Sequence, residues 1–313
     1  MVTLLALLAC SDSDFGLSEV PPKAATPHDT AVLLDEPAVD TAVEEEEEPT
    51  EEEEPVEETE DTDVPEEVVE DPPPADDCSE TDDLIYALAR DDGRLYTFDP
   101  STLRFTSLGV VDCDTSQTPG SMAVSRDGVA YVRYADNVVY ELDLATMTCA
   151  ETSYSDRRTG FDSFGMGYAT DSADTWRDQL YVANATHLGV LNPTSGNITT
   201  LGRMPSQSEL TGNADGELWA ILPLESPAKL RQLDLTTGAE LATIEMRSFP
   251  NPSNIDTFAF ATWSGDFYIF VREYGMGEST DVYKVTAAGK MSVVLEDVGF
   301  DIVGAGVSTC APA

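Results

Sequence analysis

The sequence predicts an all-β fold: a five-bladed β-propeller closed by the C-terminal strand, behind a disordered acidic N-terminal tether. Three observations lead there. Residues 84–310 hold short apolar or alternating runs, separated by Asp-Gly, Gly-Asp, Asp-Asn and Thr-Gly turns, with no helical period of useful length. These runs recur in units of roughly 40–46 residues. The last run, residues 302–308, has no partner strand beside it in sequence. Its natural partner is the first run, residues 84–89, more than two hundred residues upstream.

The chain begins with an apolar stretch, Met-Val-Thr-Leu-Leu-Ala-Leu-Leu-Ala, that is far too short to span a bilayer. It suits the core of a signal peptide over residues 1–9. Leu7-Leu8-Ala9-Cys10 resembles the lipobox of bacterial lipoproteins, in which cleavage precedes a lipid-modified cysteine. The resemblance implies lipidation of Cys10, although no Lys or Arg precedes the apolar run. Several acyl chains on one cysteine anchor a protein stably, whereas one does not. The expectation is an outer-membrane lipoprotein of the bacterial envelope, periplasmic or surface-exposed, held to the membrane by its lipid anchor.

Residues 10–77 are low in complexity and almost free of aromatic residues. Residues 11–77 carry 27 Asp or Glu against one basic residue, Lys23, out of a whole-chain net charge of -44. Glutamate runs at 44–48 and 51–54 alternate with prolines. Such a segment cannot bury enough apolar surface to offset its chain entropy. Charge repulsion and proline extend it, to a reach on the order of 200 Å at about 3.3 Å per residue. Acidity of this degree excludes nucleic acid as a partner. The acidic segment is expected to attract cations such as Ca²⁺ weakly; no cofactor is expected.

The domain, residues 78–313, is read blade by blade. The second unit has strands at 121–125, 129–134, 138–143 and 147–153. The third has 164–170, 180–184, 188–192 and 198–201. The fourth has 210–214, 218–222, 230–235 and 241–245. The fifth has 258–263, 267–272, 282–286 and 292–295. The first has only 84–89, 95–99 and 105–108, and its missing innermost strand is supplied by 302–308. Inner strands rich in small residues, such as Phe164-Gly165-Met166-Gly167 and Val303-Gly304-Ala305-Gly306, suit the crowded axis, because glycine lets backbones approach closely.

The turn-strand pairs carry a family resemblance: Asp92-Gly93-Arg94-Leu95-Tyr96, Asp127-Gly128-Val129-Ala130-Tyr131, Asp215-Gly216-Glu217-Leu218-Trp219 and Gly265-Asp266-Phe267-Tyr268, with Phe98-Asp99-Pro100-Ser101-Thr102 and Leu191-Asn192-Pro193-Thr194-Ser195-Gly196. Together they resemble the degenerate blades of bacterial quinoprotein-like and YVTN-like propellers, over about three quarters of the chain. The resemblance implies the fold and little about function. The first pair falls between the second and third strands of its blade, out of phase with the others.

With Cys10 set aside, Cys78, Cys113, Cys149 and Cys310 remain. An even set in an exported chain suggests disulfides, and four cysteines allow three connectivities. The meeting of the ring's two ends favours Cys78 with Cys310, which leaves Cys113 with Cys149. A four-cysteine metal site has no CxxC spacing to support it.

Catalytic signatures are missing. Histidine occurs only at His28 and at His187, in an apparent hairpin turn. There is no nucleophile elbow, phosphate loop or zinc motif. Trp176, Trp219 and Trp263 read as packing or rim residues. The sequons at Asn184 and Asn197 are discounted in a bacterial lipoprotein. No catalytic residue is therefore assigned. Asp162, Glu209, Asp256 and Asp301 lie just before inner strands and recur at similar phase, which places them near one mouth of the central channel. They serve there as turn caps and a solvated rim, or as a binding site for an ion, a glycan, a small molecule or a protein. A third reading pairs them for acid–base hydrolysis, as in glycosidase-like propellers. The expected function is a monomeric ligand-binding or interaction scaffold at the cell surface; the alternative is a propeller-type hydrolase.

Overall fold

The computed structural model describes residues 83–171 and 177–313. The signal peptide, Cys10, the tether, Cys78 and Trp176 lie outside the described residues.

Twenty strands form five four-stranded antiparallel sheets. Blade 2 runs β4 (Pro119–Val124), β5 (Val129–Tyr134), β6 (Val139–Asp143) and β7 (Thr148–Glu151). Blade 3 runs β8 (Gly165–Thr170), β9 (Asp178–Ala183), β10 (His187–Asn192) and β11 (Asn197–Arg203). Blade 4 runs β12 (Glu209–Gly212), β13 (Leu218–Leu222), β14 (Ala228–Leu233) and β15 (Glu240–Met246). Blade 5 runs β16 (Ile255–Trp263), β17 (Asp266–Glu273), β18 (Met276–Val285) and β19 (Met291–Leu295). Blade 1 takes its innermost strand from the far end of the chain: β20 (Ile302–Gly306) lies beside β1 (Ile85–Ala89), followed by β2 (Arg94–Asp99) and β3 (Arg104–Val110). Ala87 pairs with Ala305 and Leu88 with Gly304, antiparallel. The ring is closed as the sequence predicts, and the Asp92-Gly93 turn sits between β1 and β2, the second and third strands of its blade.

Burial grades outward from the axis. β1, β8, β13 and β20 are buried at every residue, whereas β3 and β11 are mostly exposed. Apolar side chains from both faces of each sheet then meet the neighbouring blade. The core is accordingly five clusters, one per blade interface. Blades 5 and 1 share Phe98, Tyr268 and Phe270; blades 4 and 5 share Ile221, Leu230, Phe260 and Ile269. Trp219 belongs to the latter interface, edge-on to Phe267 at 4.8 Å. Trp263 is half-buried, and its indole N–H donates to the Asp83 carbonyl at 2.6 Å. Both tryptophans are packing residues.

The turn between third and fourth strands is built the same way in four blades. Asp99, Asp143, Asn192 and Asp234 each end a third strand or follow it, and each side-chain oxygen accepts from backbone N–H groups two or three residues on. This Asx turn is the reason strands in this family of repeats end in Leu-Asp or Leu-Asn. Hydroxyl and amide donors, led by Thr237, push the Asp234 carboxyl down to about 2. Blade 5 lacks the acid, and Gly289 N–H donates to the Thr286 carbonyl instead.

Two features were not foreseen. A one-turn helix, α1 (Asp156–Thr159), joins β7 to β8. The β17–β18 hairpin is taller than expected because residues 276–281, polar in sequence from 278 on, continue the ladder, with Glu273 paired to Met276 around a turn at Gly275. Cys113 and Cys149 form a disulfide, which pins the crossover from blade 1 onto β7 at the outer edge of blade 2. Cys310 is disulfide-bonded; Cys78, its expected partner, lies outside the described residues.

Candidate functional site

The first turns of the inner strands surround a cavity of about 390 Å³ at one mouth of the ring. Every blade contributes: Arg90 and Val303 from blade 1, Gly120 and Arg133 from blade 2, Ser163 before blade 3, Gln207 and Glu209 from blade 4, and Asp256 and Thr257 from blade 5. Exposed Leu224 stands on the rim, and Tyr274, also exposed, hydrogen-bonds Asp256. Below the mouth the axis is shut. A Cβ added to Gly165 would lie 2.2 Å from the Ser208 carbonyl oxygen, and one on Gly167 would lie 2.6 Å from Leu210 backbone atoms. Glycine is what lets β8 and β12 touch. Further down, Val124, Tyr168, Leu210 and Val307 leave no room for a water molecule. The site is a blind cup.

The four acids expected at this mouth have different fates. Glu209, the first residue of β12, faces the cup and is almost wholly buried. The Ser121 hydroxyl donates to it at 2.7 Å while accepting from the Met166 N–H at 3.1 Å. Burial pushes the Glu209 carboxyl up to about 8, against the opposing pull of the Ser121 hydrogen bond and the Arg133 charge. It is therefore mostly protonated at neutral pH. Asp256 faces the cup, and Asp301 lies behind it with a fully buried side chain. Asp162 is exposed and does not line the cup.

Asp256 and Asp301 are engaged by two arginines. Arg90 donates to Asp256 at 2.8 Å and to Asp301 at 2.9 Å, and its backbone N–H donates to the Asp301 carbonyl at 2.8 Å. Arg272 donates to Asp301 and stands 3.6 Å from Asp256. Burial would raise the Asp256 carboxyl. The hydrogen bonds from Arg90 and Tyr274, with the charges of Arg90 and Arg272, outweigh it and hold the group below its ordinary value. This network sits where β20 enters blade 1 beside blade 5, so these two acids and two arginines clamp the seam of the ring.

Arg133 is different. It is 6% exposed, and its guanidinium lies against Gly120, where an added Cβ would come within 2.7 Å of it. Its Nε donates to the Phe164 carbonyl at 2.8 Å and one terminal amino group to the Tyr134 carbonyl at 3.2 Å. Among the described residues no carboxylate forms an ion pair with it. Burial lowers its pKa, with Glu209 the leading opposing charge.

Sequence reasoning missed all three arginines. A signal for them exists. Arg133 pairs with Ser121 and Arg272 with Thr257, so each sits near the end of its blade's second strand; Arg90 directly follows β1, the second strand of blade 1. Comparison of the endings Leu-Ala-Arg90, Tyr-Val-Arg133 and Phe-Val-Arg272 at one phase reveals the set.

Other candidates do not assemble. His187 opens β10, with Nδ1 2.8 Å from the Thr186 hydroxyl. Among the described residues no group of three or more His, Cys, Asp or Glu is arranged to hold a metal ion. No helix among them is long and apolar enough to cross a membrane. No protein-family model and no curated protein matches this chain. Its site is a closed-bottomed cup at the axis of a five-bladed β-propeller.

Proposed function

We propose that this chain is an envelope-anchored lipoprotein whose propeller binds a small ligand or glycan in the cup at its axis. Acyl chains on Cys10 hold it to the outer membrane, and residues 10–77 carry the propeller away from the lipid surface. The observation that carries the binding reading is the cup itself. At about 390 Å³ it falls in the lower part of the range for small-molecule sites, roughly 300–1,000 Å³. It draws polar groups from all five blades and has a single opening. A glycan and metabolite array tests this, using the protein and an Ala135→Trp variant that fills the opening from an exposed lining position. Ligands should be lost in the variant; hits that persist would move the binding site elsewhere. Anchoring is tested by Cys10→Ala, which should release the chain from the membrane fraction.

One observation favours hydrolysis as a second reading. Glu209 and Asp256 line the same cup with pKa values pushed in opposite directions, the pattern of an acid paired with a base. Binding is preferred because Arg90 and Arg272 already neutralise Asp256. Turnover of a chromogenic glycoside that disappears in Glu209→Gln would reverse that preference.

A further inference from the structure

We propose that the ligand of the cup is a small monocarboxylate, of organic-acid or uronic-acid type, held by the Arg133 guanidinium. The proposal rests on the binding reading above and specifies its chemistry.

The first observation is a buried cation with no carboxylate partner among the described residues; its guanidinium carbon lies 5.7 Å from the centre of the Phe164 ring. A guanidinium has five N–H donors. Two of those on Arg133 are used by the Phe164 and Tyr134 carbonyls, which leaves three. The two carbonyls also fix the orientation of the plane. A buried charge without a counter-ion is costly, and this one lines an open cup. Its planar fork matches a carboxylate.

The second observation is independent. The Thr257 hydroxyl, on the opposite wall from blade 5, is buried, lines the same cup and has no hydrogen-bond partner. Turned toward the cup, it offers a further donor or acceptor to a bound molecule.

Charge counting sets the valence. At the mouth, Arg90 and Arg272 balance Asp256 and Asp301. With Glu209 protonated, Arg133 leaves one positive charge. One monoanion neutralises it; a doubly charged phosphate would overshoot within a strongly acidic chain.

Glu209 then makes binding proton-dependent. The groups facing it are Ser121 on β4, Arg133 on β5 and the Met166 amide on β8, and Arg90 and Asp256 share its cup. None of these titrates between pH 6 and 9, so ionisation of Glu209 itself is what would place a negative charge beside the incoming anion. The Tyr154 phenol near Arg133 is pushed up to about 12 and stays neutral over that range.

The experiment titrates the full chain with acetate, with galacturonate and with galactose as the uncharged control. The readout is the NMR signal of the Arg133 Nε–H, which burial and its carbonyl partner shield from exchange. Both carboxylates should shift this signal and galactose should not. Affinity should fall about tenfold per pH unit above the Glu209 pKa. Glu209→Gln should make the carboxylate affinity independent of pH, and Arg133→Gln should lose about tenfold or more. Equal binding of galactose and galacturonate, or unchanged carboxylate affinity in Arg133→Gln, would overturn the carboxylate proposal and leave the cup as a binding site. If Arg133→Gln does not fold, the wild-type and Glu209→Gln titrations still decide: no shift of the Arg133 signal by either carboxylate overturns the proposal. Loss of array ligands in Ala135→Trp is read separately, so failure of the cup as a site is told apart from failure of the ligand class.

Discussion

Replacing Glu209 by Gln should remove a pH-dependent weakness from the fold. Folded Glu209 holds its proton up to about pH 8, whereas the ordinary value is 4.5. Between these values the folded state keeps a proton that the unfolded chain has released. The sign follows: stability is full below about 4.5 and falls as pH rises through about 8. The span between about 4.5 and about 8, at about 1.36 kcal/mol per pH unit, amounts to about 5 kcal/mol at the top of the window. Gln is nearly isosteric, and its carbonyl can still accept from the Ser121 hydroxyl. The variant lacks only the titration. Urea unfolding of both proteins at pH steps from 4 to 9, under oxidising conditions, checks it. The stability difference should start small at pH 4, grow in favour of Glu209→Gln by about 1.4 kcal/mol per unit, and level off above pH 8. A difference independent of pH would refute the idea that Glu209 is buried in its protonated form.

Other outcomes follow from the ring and its seam. Deleting residues 301–313 removes β20 and leaves β1 with an unpaired inner edge; the truncated chain should lose cooperative unfolding at the parent midpoint, seen by circular dichroism. Arg90→Ala strips one cation from the fully buried Asp301 and should cost about 3 kcal/mol in chemical denaturation, because the carboxylate keeps only Arg272. Gly167→Ala drives a Cβ to 2.6 Å from Leu210 backbone atoms, and should cost at least the 1–3 kcal/mol typical of overpacking (about that scale), read as a lowered thermal midpoint.

The fold was legible because its punctuation is local. Asp127-Gly128 and Asp215-Gly216 each turn a first strand into a second, and Asp99, Asn192 and Asp234 mark the next hairpin but one. A strand bounded by such turns is identified without its neighbours. The end of blade 5 escaped this logic: residues 278–281 are polar, and only pairing of this stretch with β17 makes it a strand. The cup was half legible. Asp162, Glu209, Asp256 and Asp301 are spaced by the repeat, so their phase could be read. Which arginine meets which acid could not, since Arg90 meets Asp256 across 166 positions and Asp301 across 211. Hence a rim that reads as anionic in sequence is, in three dimensions, balanced by arginine at two acids and left cationic at Arg133.

Ring closure also imposes an order of events on folding. Four blades are hairpin arrays whose strands are sequence neighbours, so each can form soon after it is synthesised. Cys113 and Cys149 are only 36 residues apart and belong to that early phase. Blade 1 is the exception. Among the described strands its first three precede those of the other blades, yet it is completed after them, because β20 follows β19 in the chain. Throughout that interval β1 offers an open edge, able to pair with other chains or to recruit proteases and chaperones. The slowest step is then a single long-range docking event, and its rate should depend on how well blades 2 to 5 have already assembled the slot that receives residues 302–306.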